Sequence, residues 1–122
     1  MKLSPLDALI YQDPTCFCQA CGFPLSEQPV SPDDWEYVMI CPCCRLHYAN
    51  DDITEMMAQA KQLYGHSRLR SLSPQVWREL KAQAWASWRR QWVAGGMSFW
   101  IDSEKPSVWD ARRQLTNIGI EL

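Results

Sequence analysis

Hydrophobic residues recur with helical spacing through the second half of the chain. Ser73-Pro74 supplies an N-cap and a first-turn proline, so the longest helix is predicted from there to about Ala94, where Gly95 ends it. One side of this helix forms a stripe roughly 140° wide. The stripe consists of Trp77, Leu80, Lys81, Ala84, Trp85, Trp88 and Trp92. We interpret most of it as a packing surface, although four tryptophans flanked by arginines are also typical of protein interfaces.

Shorter elements follow from capping residues and local composition. Residues 51–64 predict an amphipathic helix with two aspartates at its start, and residues 107–115 predict a short helix capped by Ser107. A first helix is predicted over residues 4–13, before a proline. Residues 35–41, rich in aromatic and β-branched side chains, predict the best strand of the chain.

Four of the six cysteines form two Cys-x-x-Cys pairs, and these predict a metal site. A tight Cys-x-x-Cys turn directs two sulfurs at one point, and two such turns supply the four tetrahedral donors that Zn²⁺ prefers. Residues 22–40, between the pairs, are long enough for one short β-hairpin. The spacing therefore predicts one structural Zn²⁺ ion in a zinc ribbon with two knuckles. The predicted ligands are Cys18, Cys21, Cys41 and Cys44.

The predicted fold class is α+β, in a single domain that spans residues 1–122. Residues 15–49 are expected to form the small four-cysteine zinc ribbon, and residues 50–122 a helical part. We expect the β-hairpin of the ribbon to pack on three or four α-helices. A chain of 122 residues can bury a modest core beside a metal ion.

The cysteines have two alternative uses, disulfide bonds and thioredoxin-type redox chemistry. Residues 1–7 lack the apolar segment of a signal peptide, so we expect a cytoplasmic, reducing compartment in which thiols persist. The redox alternative requires a βαβ context that the sequence does not show. Cys16 and Cys43 lie beside predicted ligands but have no partner at the required spacing, and His47 is a possible substitute ligand.

Charge is distributed unevenly along the chain, although the net charge is only −2. Residues 1–60 carry nine acidic and two basic side chains, whereas residues 61–122 carry five acidic and ten basic ones. Four thiolates on a zinc ion would add further negative charge to the first half. An acidic metal module suits a basic protein better than a phosphate backbone. The longest apolar run, residues 37–41, is far too short to span a membrane.

Two segments resemble small bacterial zinc-ribbon proteins of uncharacterised function. The segment ICPCCRLHYANDD at residues 40–52 resembles their ICPxCG..FGYDD motif, and WRRQWVAGGM at residues 88–97, with residues 109–118, is similar to their tail. The cysteine-rich CPCC proteins are similar over the ribbon only. Arg45 stands where these proteins usually have glycine after the second knuckle. The resemblance implies a possible immunity role, since some of these proteins look like inhibitors of toxins that competing bacteria deliver.

The sequence predicts a protein without catalytic activity. It has no glycine-rich phosphate loop, no nucleophile motif near His47 or His66, and a zinc site with four cysteine ligands leaves no coordination position open for water. Adjacent carboxylates at Asp51 and Asp52 are expected to cap a helix rather than to perform chemistry.

Two functions from different classes remain. The first is a protein-binding module, most concretely a cytoplasmic immunity protein that neutralises a basic toxin domain. Its predicted contact surface is the tip of the hairpin, where three acids surround one tryptophan. These residues are Asp33, Asp34, Trp35 and Glu36. The alternative is a nucleic-acid-binding zinc ribbon that uses the arginines of the second half, and a pI of about 5.6 argues against it.

Overall fold

The computed structural model describes residues 17–25 and 39–122. Within them the chain forms three α-helices, joined by short 3₁₀ helices and turns. Helix α1 spans Asp51–Tyr64, α2 spans Pro74–Ala94 and α3 spans Ala111–Leu115. The 3₁₀ helices are His66–Ser71, Asp102–Glu104 and Thr116–Ile118.

The predicted α+β fold class, with a β-hairpin zinc ribbon, is wrong for the part of the chain that the structure describes. These residues contain no strand or sheet, only two isolated antiparallel bridges, Phe17 with Pro24 and Ile40 with His47. Each bridge closes a cysteine-containing loop on itself, so the backbone hydrogen bonds stay within a loop instead of joining two arms of a hairpin. Met39–Cys41 are therefore not part of a strand, and residues 35–38 lie outside the described residues.

The two long helices have the predicted boundaries because their ends carry strong local signals. The Ser73 hydroxyl accepts a hydrogen bond from the Val76 backbone N–H at 3.2 Å, which satisfies a free donor in the first turn of α2. Gly65, with a φ of 84°, ends α1, and Gly95 ends α2. The predicted bounds of these two helices are confirmed. The expectation that Asp51 or Asp52 caps α1 is wrong, because Asn50 is the N-cap and no side chain makes a capping hydrogen bond there.

The last helix begins later than the sequence predicted. Asp110, and not Ser107, is the N-cap, because its carboxylate accepts hydrogen bonds from the backbone N–H groups of Arg112 and Arg113 at 3.0 and 3.3 Å. A carboxylate is a strong N-cap, so the helix starts at Ala111. The helix predicted over residues 4–13 lies outside the described residues.

The described residues form two hydrophobic clusters, and α2 contributes to both. The smaller cluster lies between α1 and the first half of α2, around Met56, Ala60, Leu80 and Ala84. The larger one surrounds the cysteines. It contains Leu25, Leu46, Tyr48, Trp85, Trp92, Phe99 and Leu115. The stripe on α2 is thus a packing surface, as interpreted from the sequence, with Trp85 and Trp92 buried and Trp77 and Trp88 half-buried.

After α2 the chain returns across the cysteines as an extended strap, residues 97–101. The backbone N–H groups of Trp100 and Ile101 donate to the carbonyls of Cys43 and Pro42, each at 3.0 Å. Phe99 is buried between Phe23 and Trp109, with T-shaped ring contacts of 5.3 Å to each. The strap fixes the second cysteine pair from one side. None of the helices described here is long and apolar enough to cross a membrane.

Candidate metal centre

The two cysteine pairs lie in loops of the same conformation, residues 17–24 (the first cysteine loop) and residues 40–47 (the second cysteine loop). In the first loop the Cys18 N–H donates to the Phe23 carbonyl and the Gly22 N–H donates to the Cys18 carbonyl, both at 2.8 Å. In the second, Cys41 and Arg45 repeat this pattern at 2.9 and 3.0 Å. The Cys-x-x-Cys spacing therefore produces the predicted tight turn twice.

The residue after each second cysteine has a left-handed backbone. Gly22 has a φ of 82° and Arg45, at the equivalent position, a φ of 67°. Glycine adopts this region without strain, whereas for another residue the conformation costs about 1–2 kcal/mol. The Arg45 guanidinium lies 5.5 Å from the centre of the Trp100 ring, a cation–π contact that offsets part of this cost. The second cysteine loop thus keeps its tight turn, although Arg45 stands where the motif that it resembles has glycine.

The four predicted ligands lie together, and their sulfur atoms are arranged as a metal requires. All four Sγ atoms lie within 4.8 Å of one another, and the pairs Cys18–Cys44 and Cys21–Cys41 are each 3.7 Å apart. A tetrahedron with metal–sulfur bonds of about 2.3 Å has edges of about 3.8 Å. A disulfide would need about 2.05 Å, and these cysteines are free thiols. The cluster is therefore a possible metal site and not a pair of disulfides.

Burial and hydrogen bonds within the cluster set the ionisation of the four thiols. Burial raises the pKa of the Cys21 and Cys41 thiols, and the hydrogen bond with Cys18 raises that of Cys44. Burial also opposes ionisation of Cys18, but hydrogen bonds from the other three thiols and Tyr48 outweigh it and hold its pKa well below the usual range. Four thiolates in such a buried cluster would need a cation between them.

Tyr48 holds the cluster from within the core. Its hydroxyl donates to Cys18 Sγ at 3.2 Å and accepts a hydrogen bond from the Gln19 backbone N–H at 2.9 Å. Burial and the charge of Cys18 raise the pKa of this phenol, so it stays protonated and able to donate. Its ring packs edge-on against Trp85. Sequence reasoning missed this residue, because nothing in the local pattern around Tyr48 shows which sulfur it reaches.

Helix α2 binds both cysteine loops through two adjacent residues. The Arg89 guanidinium donates to the carbonyls of Gln19 and Ala20, at 2.7 and 2.8 Å, and the Trp88 indole donates to the Cys44 carbonyl at 3.0 Å. Burial lowers the pKa of Arg89, which remains a cation beside the cysteine cluster. The helix therefore positions the two loops relative to each other.

The C-terminal segment completes the support around the first cysteine loop. The buried Gln114 amide donates to the Cys21 carbonyl at 3.0 Å and to Cys43 Sγ at 3.4 Å, and the Asn117 amide donates to the Gly22 carbonyl at 3.0 Å. Trp109 in turn donates to the Gln114 side-chain oxygen at 2.8 Å. A Cβ atom at Gly22 would overlap with the backbone carbonyl of Gln114. The first loop can therefore approach α3 only because residue 22 is glycine.

The remaining candidates from the sequence have other roles or lie outside the described part. Cys43 is buried but does not belong to the four-sulfur cluster, and Cys16 is not among the described residues. The His47 N–H donates to the Asp51 carboxylate at 3.0 Å, so both residues support the start of α1. Asp52, also buried, accepts from the Trp85 indole at 3.0 Å and joins α1 to α2. The predicted contact surface, residues 33–36, lies outside the described residues.

No protein-family model, curated protein sequence or solved structure matched this chain. The assignment of a function therefore depends on the geometry of the site itself. That geometry consists of four clustered thiols, a phenol that donates to one of them, and a helix that binds both loops.

Proposed function

We propose that this protein is a non-catalytic, protein-binding module whose core is assembled around one structural Zn²⁺ ion. The observation that carries the proposal is the buried cluster of four sulfur atoms at Cys18, Cys21, Cys41 and Cys44, all within 4.8 Å of one another. Zn²⁺ is favoured because four thiolates in tetrahedral geometry suit zinc or iron–sulfur chemistry, and a single metal ion fits edges of 3.7 Å.

The surroundings of the cluster support a structural rather than a catalytic metal. Cys18, Cys21 and Cys41 have no exposed surface and Cys44 is 6% exposed, so neither water nor substrate reaches the metal position. Four protein ligands leave no open coordination site. The metal would join the two loops directly, in addition to the hydrogen bonds that attach them to α2 and to the C-terminal segment. Zinc binding at such sites contributes about 10–16 kcal/mol to folding.

The distribution of charge along the chain, and the hydrogen bonds that some arginines make within the protein, favour a protein partner over nucleic acid. The first half of the chain is strongly acidic, which suits a basic partner. Two arginines of the basic half are engaged within the fold, Arg89 with the first cysteine loop and Arg78 with Gln75 at 2.6 Å. Arginines that donate to the protein's own oxygens have fewer donors left for phosphates.

The narrower proposal is that the partner is a basic toxin domain and that binding neutralises it. Its support is the acidic first half and the resemblance of residues 40–52 to small bacterial proteins of uncharacterised function, some of which look like toxin inhibitors. The protein encoded next to this one should be co-expressed with it, and native mass spectrometry should show a complex of the two chains. Binding of mixed oligonucleotides, with an affinity that falls steeply as salt rises, would contradict the proposal in favour of nucleic acid.

A further inference from the structure

Two surface cavities share part of their lining, and we treat them together as one groove. The first, of about 510 Å³, is lined by the second cysteine loop and the strap, and the second, of about 240 Å³, lies between α1 and α2. Both are lined by Asp51 and Trp88. We call the combined cavity the Trp88 groove. Its apolar and charged lining includes Ile40, Arg45, Asp51, Glu55, Trp88 and Trp100.

One end of the groove is apolar and exposed. Ile40 and Trp100 are 42% and 45% exposed, and they are two of the few large hydrophobic side chains that remain accessible among the residues described. Both are rigidly placed, since Ile40 belongs to the bridge that closes the second cysteine loop and the Trp100 backbone bonds to Cys43. An exposed tryptophan on a fixed backbone is a typical anchor site for an apolar side chain of a partner.

The other end of the groove is acidic. Asp51 and Glu55 lie one helical turn apart on the same side of α1, and the half-buried Trp88 ring lies with them in the wall. The zinc–thiolate centre proposed above adds negative charge behind Cys44, which lines the same cavity. The positive charge in the lining is Arg45, which stacks on Trp100, while Arg89 is bound to the first cysteine loop. The His47 backbone N–H donates to the Asp51 carboxylate, and the His47 ring Nδ1 lies 3.4 Å from the Asn50 side-chain amide.

We propose that the Trp88 groove binds a segment of a basic protein partner in which an arginine or lysine adjoins a large apolar side chain. The basic side chain lies against Trp88 between Asp51 and Glu55, where it gains two charge contacts and a cation–π contact. The apolar side chain lies between Ile40 and Trp100. The same two carboxylates repel phosphates, so nucleic acid does not fit this groove. The inference rests on the proposed function, because it names where such a module holds its partner.

The test uses the full-length, metal-loaded protein and two capped dipeptides, acetyl-Arg-Leu-amide and acetyl-Glu-Leu-amide. We expect the first peptide to shift the indole N–H resonances of Trp88 and Trp100 saturably in the millimolar range, and the second peptide to leave them in place. Glu55→Lys should weaken binding of the first peptide roughly two- to fivefold. Glu79→Lys makes the same charge change on the exposed face of α2, outside the groove. This control should leave the affinity for acetyl-Arg-Leu-amide unchanged.

Equal shifts with both peptides, or equal weakening by Glu55→Lys and Glu79→Lys, would overturn the groove proposal. A complex with the co-expressed partner that forms at wild-type affinity in both Glu55→Lys and Trp100→Ala would overturn the groove and leave the protein-binding function standing. A third probe is oligothymidylate, and the contrary result is a shift of the indole N–H resonances of Trp88 and Trp100 at a lower concentration than acetyl-Arg-Leu-amide requires. That result would overturn both the groove proposal and the protein-binding function.

Discussion

The hydroxyl of Tyr48 lies 3.2 Å from the Sγ of Cys18 and donates a hydrogen bond to it. The same oxygen accepts from the backbone N–H of Gln19, so one side chain contacts both a ligand atom and the backbone that holds it. A hydrogen bond to a thiolate stabilises the charged form that binds metal. Tyr48 is thus a supporting residue of the centre, and its role can be tested without altering a ligand.

Tyr48→Phe should weaken metal binding about 10- to 100-fold, the usual effect of losing a supporting hydrogen bond next to a ligand. It also removes the acceptor of a partly buried N–H, which should cost about 1–3 kcal/mol of stability. Competition against a zinc chelator measures the first effect. Tyr64→Phe, a tyrosine of α1 in the other hydrophobic cluster, is the matched control and should retain wild-type affinity. The same chelator curve for both variants would contradict the role of Tyr48.

Gly22→Ala should destabilise the protein far more than Gly119→Ala. Both glycines have positive φ angles, 82° and 75°, so both substitutions carry backbone strain of about 1–2 kcal/mol. Only at Gly22 does the new Cβ meet a backbone oxygen, that of Gln114, while the space around Gly119 is open. Urea unfolding of the metal-loaded variants compares the two. Equal losses would show that α3 does not pack against the first cysteine loop as described.

Arg89→Ala should destabilise the protein by leaving the Gln19 and Ala20 carbonyls without their donors, at about 1–3 kcal/mol for each. Arg89→Lys should recover only part of this loss, because an ammonium group cannot reach two adjacent carbonyls as a planar guanidinium does. Arg90→Ala, at the exposed neighbouring position, should change stability by no more than about 0.5 kcal/mol. Thermal unfolding should give the lowest midpoint for Arg89→Ala, a higher one for Arg89→Lys and a midpoint near that of the wild type for Arg90→Ala. A wild-type midpoint for Arg89→Ala would contradict the bridging role of α2.

Local signals in the sequence predicted those parts of the structure that depend on neighbouring residues. The Cys-x-x-Cys spacing, the Ser73 cap and the glycines at residues 65 and 95 each act within a few positions, and the structure has the corresponding turns and helix ends. The prediction of Ser107 as the cap of the last helix was wrong, because serine and aspartate are both good caps and only the fold places Asp110 at the N-cap.

The lack of a sheet in the described residues and the contacts that support the candidate metal site could not be predicted in the same way. Ile40 is a β-branched residue with a high strand propensity. Among the described residues, however, its β-bridge is to His47 in the same loop, so it belongs to a closed turn and not to a strand. Tyr48, Arg89 and Gln114 reach the cysteine loops from positions far away in sequence, and no local periodicity indicates such contacts.

The central claim is that Cys18, Cys21, Cys41 and Cys44 hold one zinc ion that the fold requires. The most direct measurement is native mass spectrometry of the purified chain, with elemental analysis of the same sample and circular dichroism after chelation. We expect one zinc per chain, loss of helical signal when the metal is removed, and the same loss in Cys41→Ser. Cys43→Ser, which changes a buried thiol outside the cluster, should keep the metal. A wild-type protein that is fully folded without metal would contradict the claim.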